Sequence, residues 1–160
     1  MSPQPDLSER PNTIPWPPLL LVAGIAFGAL LGTLLPIPVV IPAPLQLAGF
    51  VLLAIGITLD ISAIIWMARL GTNILPHKAA GALLTSGPFR LSRNPIYLGN
   101  TLTLAAMGLA FANLWFAVLA AFMAVLLHRL AILREEAHLA ARFGKAWDDY
   151  AARTPRWLLF

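Results

Sequence analysis

The chain contains no cysteine, which removes disulfides, thiolate nucleophiles and thiolate metal sites together. Charge is nearly as scarce: 11% of the 160 residues are Asp, Glu, Lys or Arg, against roughly a quarter in an ordinary soluble domain. That shortage argues against a globular protein surrounded by water. Only three histidines are present, His77, His128 and His138, and none belongs to a close pair of the H-E-x-x-H kind. No metal site is therefore expected. Also missing are G-x-G-x-x-G after a strand and G-x-x-x-x-G-K-[ST], so nucleotide binding of the soluble type has no fingerprint here.

What is present is apolar. Hydrophobic residues make up 59% of the chain, which excludes intrinsic disorder, and the length suits one domain. Fourteen prolines and eleven glycines must interrupt the apolar runs. Residues 1–16 combine prolines with mixed charges and read as a short tail, without the basic start or cleavage site of a signal peptide. Residues 17–160 form the membrane domain. A bilayer-crossing helix needs about 17–25 apolar residues, and residues 19–35, bracketed by Pro17, Pro18 and Pro36, supply a first span. Gly24, Gly28 and Gly32 fall on one face of it, where a neighbouring helix, in the same chain or in a homodimer, can approach closely. A proline-rich turn at 36–44 leads to a second span at about 45–70. Asp60 lies within it, either functional or satisfied by Arg69, Ser62 or water.

No side chain from 94 to 127 is charged. One span leaves that run too long and two make it tight. A break near 108–113 resolves it into a helical hairpin, with spans at about 96–111 and 114–133. The third span is then short and partly buried within the protein. The expected fold is all-α and integral to the membrane: about four transmembrane helices, including a C-terminal hairpin, and a short helical cytoplasmic segment at 134–160.

The formal charge of +4 reads as a topology signal. Arg69, Lys78, Arg90 and Arg93 lie between spans two and three, and Arg134, Arg142, Lys145, Arg153 and Arg156 follow span four. The positive-inside rule places both segments in the cytoplasm, with both termini, in a multi-pass protein of the cell's inner membrane. A nucleic-acid partner is not expected, because no basic stripe is interleaved with stacking aromatics.

Two polar segments thus meet at one membrane face. In residues 85–99, TSGPFRLSRNPIYLG, Gly87 and Pro88 make a tight turn. Asn94 and Pro95 then suit the N-cap and first position of a helix. The same residue types serve capping alone or an anion site at the free N–H groups of the helix start. In residues 134–158, REEAHLAARFGKAWDDYAARTPRWL, Glu135 and Glu136 point about 100° apart on a helix. Helical spacing groups Glu135 with His128, His138 and Arg142, and Glu136 with Arg129 and Leu139. One acid is expected to face an internal cleft and the other to form a surface ion pair. Lys145, Asp148 and Asp149 read as a solvated face.

The two segments, in this order around a hydrophobic hairpin, resemble the isoprenylcysteine carboxyl methyltransferase family, within a wider group of membrane methyltransferases that includes phospholipid N-methyltransferases. The resemblance covers about the C-terminal half of the chain. It implies an integral membrane enzyme that uses S-adenosylmethionine without a Rossmann domain. By matching position, Gly81 and Leu84 of the loop 81–84, together with Phe89, would line the cofactor pocket. Asn94, Pro95 and Tyr97 stand where the family has His-Pro-x-Tyr. Glu135 stands at the cofactor-contacting acid, with Glu136 supporting it, and Tyr150, Arg153 and Pro155 match a tail that folds back over the site. Asn94, Glu135 and Arg153 are the candidate catalytic residues.

Two positions depart from the family pattern: Asn94 replaces its usual His, and Ala131 stands where prenylcysteine enzymes carry an Arg for the substrate carboxylate. The expected acceptor is correspondingly broad, a lipophilic or small apolar molecule from the bilayer with an amine, thiol or carboxylate. The rival reading is a non-catalytic membrane scaffold or subunit with a degenerate pocket. A transporter is disfavoured, since Asp60 is the single deep ionisable residue.

Overall fold

Prolines and glycines divide the chain into helices where the sequence pattern expects them to. The computed structural model describes residues 14, 16–71 and 81–158. Most of the tail expected at 1–16, and His77 and Lys78 in the second loop, lie outside the described residues. Among those described, every regular element is helical: α1 (Trp16–Leu34), α2 (Ala43–Arg69), a 3₁₀ turn (Gly87–Arg90), α3 (Pro95–Ala110), α4 (Leu114–Leu127), a π-helical turn (His128–Ile132), α5 (Leu133–Phe143) and α6 (Lys145–Ala151). Pro17 and Pro18 open α1 and Pro95 opens α3, positions where a missing N–H costs nothing.

Three helical stretches are long and apolar enough to cross a membrane: Trp16–Leu34, Ala43–Arg69 and Leu114–Phe143. The third runs straight through the π turn, so the helix that carries the fourth span expected at 114–133 continues beyond it into α5. α3 has 16 residues, or about 24 Å at 1.5 Å per residue, which is less than a full bilayer core. It is also the most enclosed helix, with Tyr97, Asn100, Thr103, Leu104, Ala106 and Ala110 all buried. The short, inward-lying third span read from the sequence is what forms. A turn at 111–113 reverses the chain into α4, as the hairpin requires.

Glycines set the helix contacts. Along the α2–α3 seam, Gly49 lies against Ala110, Gly56 against Thr103, and Gly99 against Asp60. Each step forward in α2 is an equal step backward in α3, so the two helices run antiparallel in close register. A Cβ at Gly56 would stand 2.6 Å from Thr103 Oγ1 and 3.0 Å from the Gly99 carbonyl oxygen, too near for any larger residue. Gly24, Gly28 and Gly32 do the same for α1, facing Leu104, Phe116 and Asn113. This face is spent on internal contacts and is closed to a second copy. Asn113 ties α1 to the start of α4. Its Nδ2 donates to the Gly28 carbonyl at 2.8 Å, and its Oδ1 accepts the Trp115 N–H at 3.2 Å as the cap of α4. The core lies where α1, α3 and α4 meet: Tyr97, Leu104, Phe116, Ala120, Met123, Leu127, Ala131 and Ile132. Large apolar side chains elsewhere, such as Val22, Phe27, Val51, Ile61 and Phe122, point outward, as lipid-facing residues do.

Ser62 is spent on its own helix rather than on Asp60. The Ser62 hydroxyl donates to the Leu59 carbonyl at 2.8 Å, and Asp60 Oδ1 is buried against Gly99 without a hydrogen-bond partner among the described residues. Gly99→Val is expected to force α2 and α3 apart at this point. Overpacking of this kind costs about 1–3 kcal/mol, read as a lowered unfolding midpoint in detergent, whereas Val51→Ala on the outer face of α2 leaves the midpoint nearly unchanged.

Candidate functional site

Two polar segments far apart in sequence converge at the N-terminal end of α3. The first reaches it through the turn at Gly87, where φ is +60° and the Trp66 ring lies so close that a Cβ would stand 2.6 Å from it. The Trp66 indole N–H donates to Ser86 Oγ at 3.2 Å, tying this loop to the end of α2. The second segment arrives on α5 and returns through α6, turning at Gly144 with φ +52°.

The acids take different partners. The Tyr97 hydroxyl donates to Glu135 Oε1, joining the first turn of α3 to α5 at a buried phenol with 7% exposure. Glu136 accepts Arg156 Nε–H on Oε1 at 2.9 Å and Arg156 Nη2–H on Oε2 at 2.6 Å. Arg93 Nη1 lies 3.1 Å from the same Oε1. Glu136 is 13% exposed, so its ion pair is an inner one, unlike the surface pair foreseen. Its hydrogen bonds raise the Arg156 pKa above the ordinary arginine value, against an opposing effect of burial, and the residue stays charged. Arg93 also stands over the Trp147 ring, 5.8 Å from its centroid, a cation–π distance.

The tail 153–157 is strapped to the chain just before α3. Arg93 N–H donates to the Pro155 carbonyl at 2.9 Å, and the Ser92 hydroxyl donates to the Arg156 carbonyl at 2.9 Å. Asn94 Nδ2 donates to that same carbonyl at 3.1 Å, while the Asn94 N–H donates to Ser92 Oγ at 3.0 Å. Asn94 begins α3 but its side chain does not cap it. The capping role read from the sequence is corrected: the amide holds the tail instead. Tyr150, buried on α6, donates its hydroxyl to the Phe89 carbonyl at 2.7 Å. Burial raises the Tyr150 phenol pKa above its usual value, only partly offset by the nearby Arg93 charge.

The residues expected at the site divide accordingly. Asn94, Pro95, Tyr97, Glu135, Glu136 and Tyr150 are brought together with Phe89. Leu84 is buried and Gly81 exposed on the loop leading to this cluster. Arg153 is not drawn in: it is exposed, and its Nε–H donates to the Asp149 carbonyl of its own helical turn at 2.9 Å. Ser92, Arg93, Trp147 and Arg156 belong to the cluster and were missed as site residues. Their signal was present in the short polar stretches SRN and TPR, but the arginines there read as orientation charges. The face assignments around the Glu pair also change. The π turn at His128–Ile132 inserts a wider turn, so helical spacing cannot be carried from His128 or Arg129 to the acids. Ala131 lies inside that turn and is fully buried in the core, with no room for an arginine, while Arg129 and Arg134 are exposed. No group of three or more metal-ligating side chains occurs among the described residues.

A family model described as phospholipid methyltransferase matches residues 45–146, well over half of the chain. The protein belongs to that family, whose match takes in α2, the hairpin and both acids and ends before the strap. Among curated relatives, the nickel-cobalt-cadmium resistance protein NccN of Alcaligenes xylosoxydans xylosoxydans is 29% identical over 63% of this chain and 45% of its own. The cobalt-zinc-cadmium resistance protein CzcN of Cupriavidus metallidurans is 29% identical over 63% and 44%. The Delta(14)-sterol reductase of Mus musculus is 35% identical over 53% of this chain and 21% of its own. The chain thus spans less than half the length of these relatives. No solved structure matches it.

Tyr150→Phe is expected to loosen the loop at Phe89 by about 1 kcal/mol, the usual net worth of one hydrogen bond. It also changes the alkaline response. A raised phenol pKa in the folded state gives stability that is complete below the unfolded value near 10 and is lost as pH climbs toward the folded one. Unfolding midpoints measured from pH 8 to 11 should fall in the native protein above about pH 10 and fall less in Tyr150→Phe.

Proposed function

We propose that the protein is a membrane methyltransferase that uses S-adenosylmethionine and acts on a lipophilic or small apolar acceptor. The observation that carries this reading is the joining of Tyr97 to Glu135 across the mouth of the hairpin, in a chain of the phospholipid methyltransferase family. When bound, the cofactor supplies an electrophilic methyl group on a sulfonium and carries a further positive charge on its ammonium.

The residues present fit such a group. A half-buried carboxylate at the edge of the apolar region attracts cations far more strongly than one in bulk water, and Glu135 is of this kind. Tyr97 fixes the carboxylate by hydrogen bonding to one of its oxygens. Glu136 makes no such contact, because two guanidiniums occupy it, and acts by holding Arg93 and Arg156. Phe89, fastened by Tyr150, and the buried Leu84 offer apolar surface on the segment that leads into α3. Asn94 holds the tail and lacks the proton-accepting nitrogen of a histidine. Methyl transfer depends on alignment more than on acid–base chemistry, so a site without an ionisable residue at 94 is chemically adequate.

The acceptor comes from the bilayer in this reading, since α1, α2 and α4 expose large apolar side chains to it. With Ala131 sealed in the core, nothing on the hairpin matches the arginine that binds a prenylcysteine carboxylate, and the acceptor class stays broad: lipid amine, thiol or carboxylate. The cytoplasmic face carries the site in this reading, from the positive-inside balance of the loops.

Calorimetry of the purified protein in detergent should give heat on addition of S-adenosylmethionine or S-adenosylhomocysteine. Glu135→Ala should weaken binding of both by at least about 100-fold, the scale on which loss of one partner of a charged pair acts. Undiminished binding by that variant sinks the assignment of Glu135, and no heat from the native protein favours the scaffold reading.

A further inference from the structure

The family match ends at residue 146, yet the segment beyond it makes the densest set of polar contacts at the site. Arg156 gives one edge of its guanidinium, Nε–H and Nη2–H, to the two carboxylate oxygens of Glu136, and its carbonyl to two donors, Ser92 and Asn94. Pro155 adds its carbonyl to the Arg93 N–H, and Arg93 closes the circle on Glu136. Three pieces of chain are cross-braced in this way: the strand of backbone before α3, the first turn of α5, and the returning tail. Each of the two chemically active-looking side chains is carried directly by a braced piece. Tyr97 sits one turn into α3 after Asn94, and Glu135 is the immediate neighbour of Glu136.

We propose that Arg156 is a positioning residue: by locking the tail onto Glu136, Ser92 and Asn94, it sets the placement of Glu135 opposite Tyr97 and so the fit of the cofactor. Arg156 touches neither reacting atoms nor cofactor in this account. A planar guanidinium suits the task, since it spans both carboxylate oxygens of Glu136 at once, and at 31% exposure it is screened from bulk solvent on most sides. The inference rests on the methyltransferase reading, and the experiment separates the two.

The absence of cysteine permits a clean measurement, because introduced thiols are the sole labelling sites. Spin labels at Arg90→Cys and Leu158→Cys, both exposed positions without a part in the brace, report whether the tail is seated. S-adenosylhomocysteine is titrated into the same detergent-purified full chain by calorimetry. With Arg156 intact, the label separation is expected to be short and narrowly distributed and the ligand to bind. Arg156→Ala should broaden the separation and weaken binding by about 10- to 100-fold, or about 1.4–2.8 kcal/mol, with little change in the unfolding midpoint. Arg156→Lys, which keeps the charge but not the two-pronged contact, should fall between the two in both readouts.

A seated tail and full affinity in Arg156→Ala overturn the proposal. So does a broadened separation with affinity unchanged, which shows the tail to be free of the site. A loss of affinity that tracks a lowered midpoint and is not recovered by Arg156→Lys marks a merely structural contact, and overturns it equally. Failure of the unsubstituted chain to bind the ligand overturns the methyltransferase reading, and this inference with it.

Discussion

The approach of α2 to α3 at Gly49, Gly56 and Gly99 sets the position of the helix on which both halves of the site depend. Within a bilayer there is little hydrophobic gain in bringing two helices together, and association rests on close packing and on polar contacts between them. Three glycines in register supply the packing. They place α3 in the middle of the molecule, short of a full crossing, with its first turn at the level where α5 leaves the apolar region. α1 approaches from the other side through its own glycines and completes the enclosure. Because α3 is covered on all sides, its N-terminal turn can present Asn94 and Tyr97 from a rigid base.

Charge is then distributed by partner rather than by depth. Two adjacent acids on one helix end would repel each other if both faced the same surroundings. Here Glu136 is neutralised by Arg93 and Arg156, and Glu135 is held by a phenol. The π turn just upstream turns both acids toward α3 and the tail, a device that recurs at functional positions in helices. Among the described residues, an apolar chain with few charges gathers a dense set of interior polar bonds in one place, and the hairpin and the strap between them bring those bonds together.

Much of this was legible in the sequence because the signals were of the strong kind. An uncharged run bounded by prolines marked α1, a long apolar run after the proline-rich turn marked α2, and a run too long for one span and too short for two foretold the α3–α4 hairpin. Gly24, Gly28 and Gly32 announced a helix contact, though not which helix. The convergence of the segments around Asn94 and Glu135 followed from orientation and from family resemblance. What escaped was set by tertiary contact. The π turn leaves no mark in composition, so the faces drawn through His128 and Arg129 were misplaced. Asn94 looked like a cap because its residue type favours one, and only the returning tail reveals the other use of its amide. Arg93 and Arg156 were counted as topology charges, which their positions also satisfy. Arg153 was singled out by alignment to a motif, while the residue three places on makes the contacts.

The central claim is that this membrane domain moves a methyl group to an apolar acceptor. Membranes containing the protein, incubated with S-adenosylmethionine labelled in its methyl group and then extracted into organic solvent, test it directly. The account predicts label in the organic phase that is absent from membranes lacking the protein and from membranes carrying Glu135→Ala. Label confined to the aqueous phase at the level of the empty membranes would contradict it.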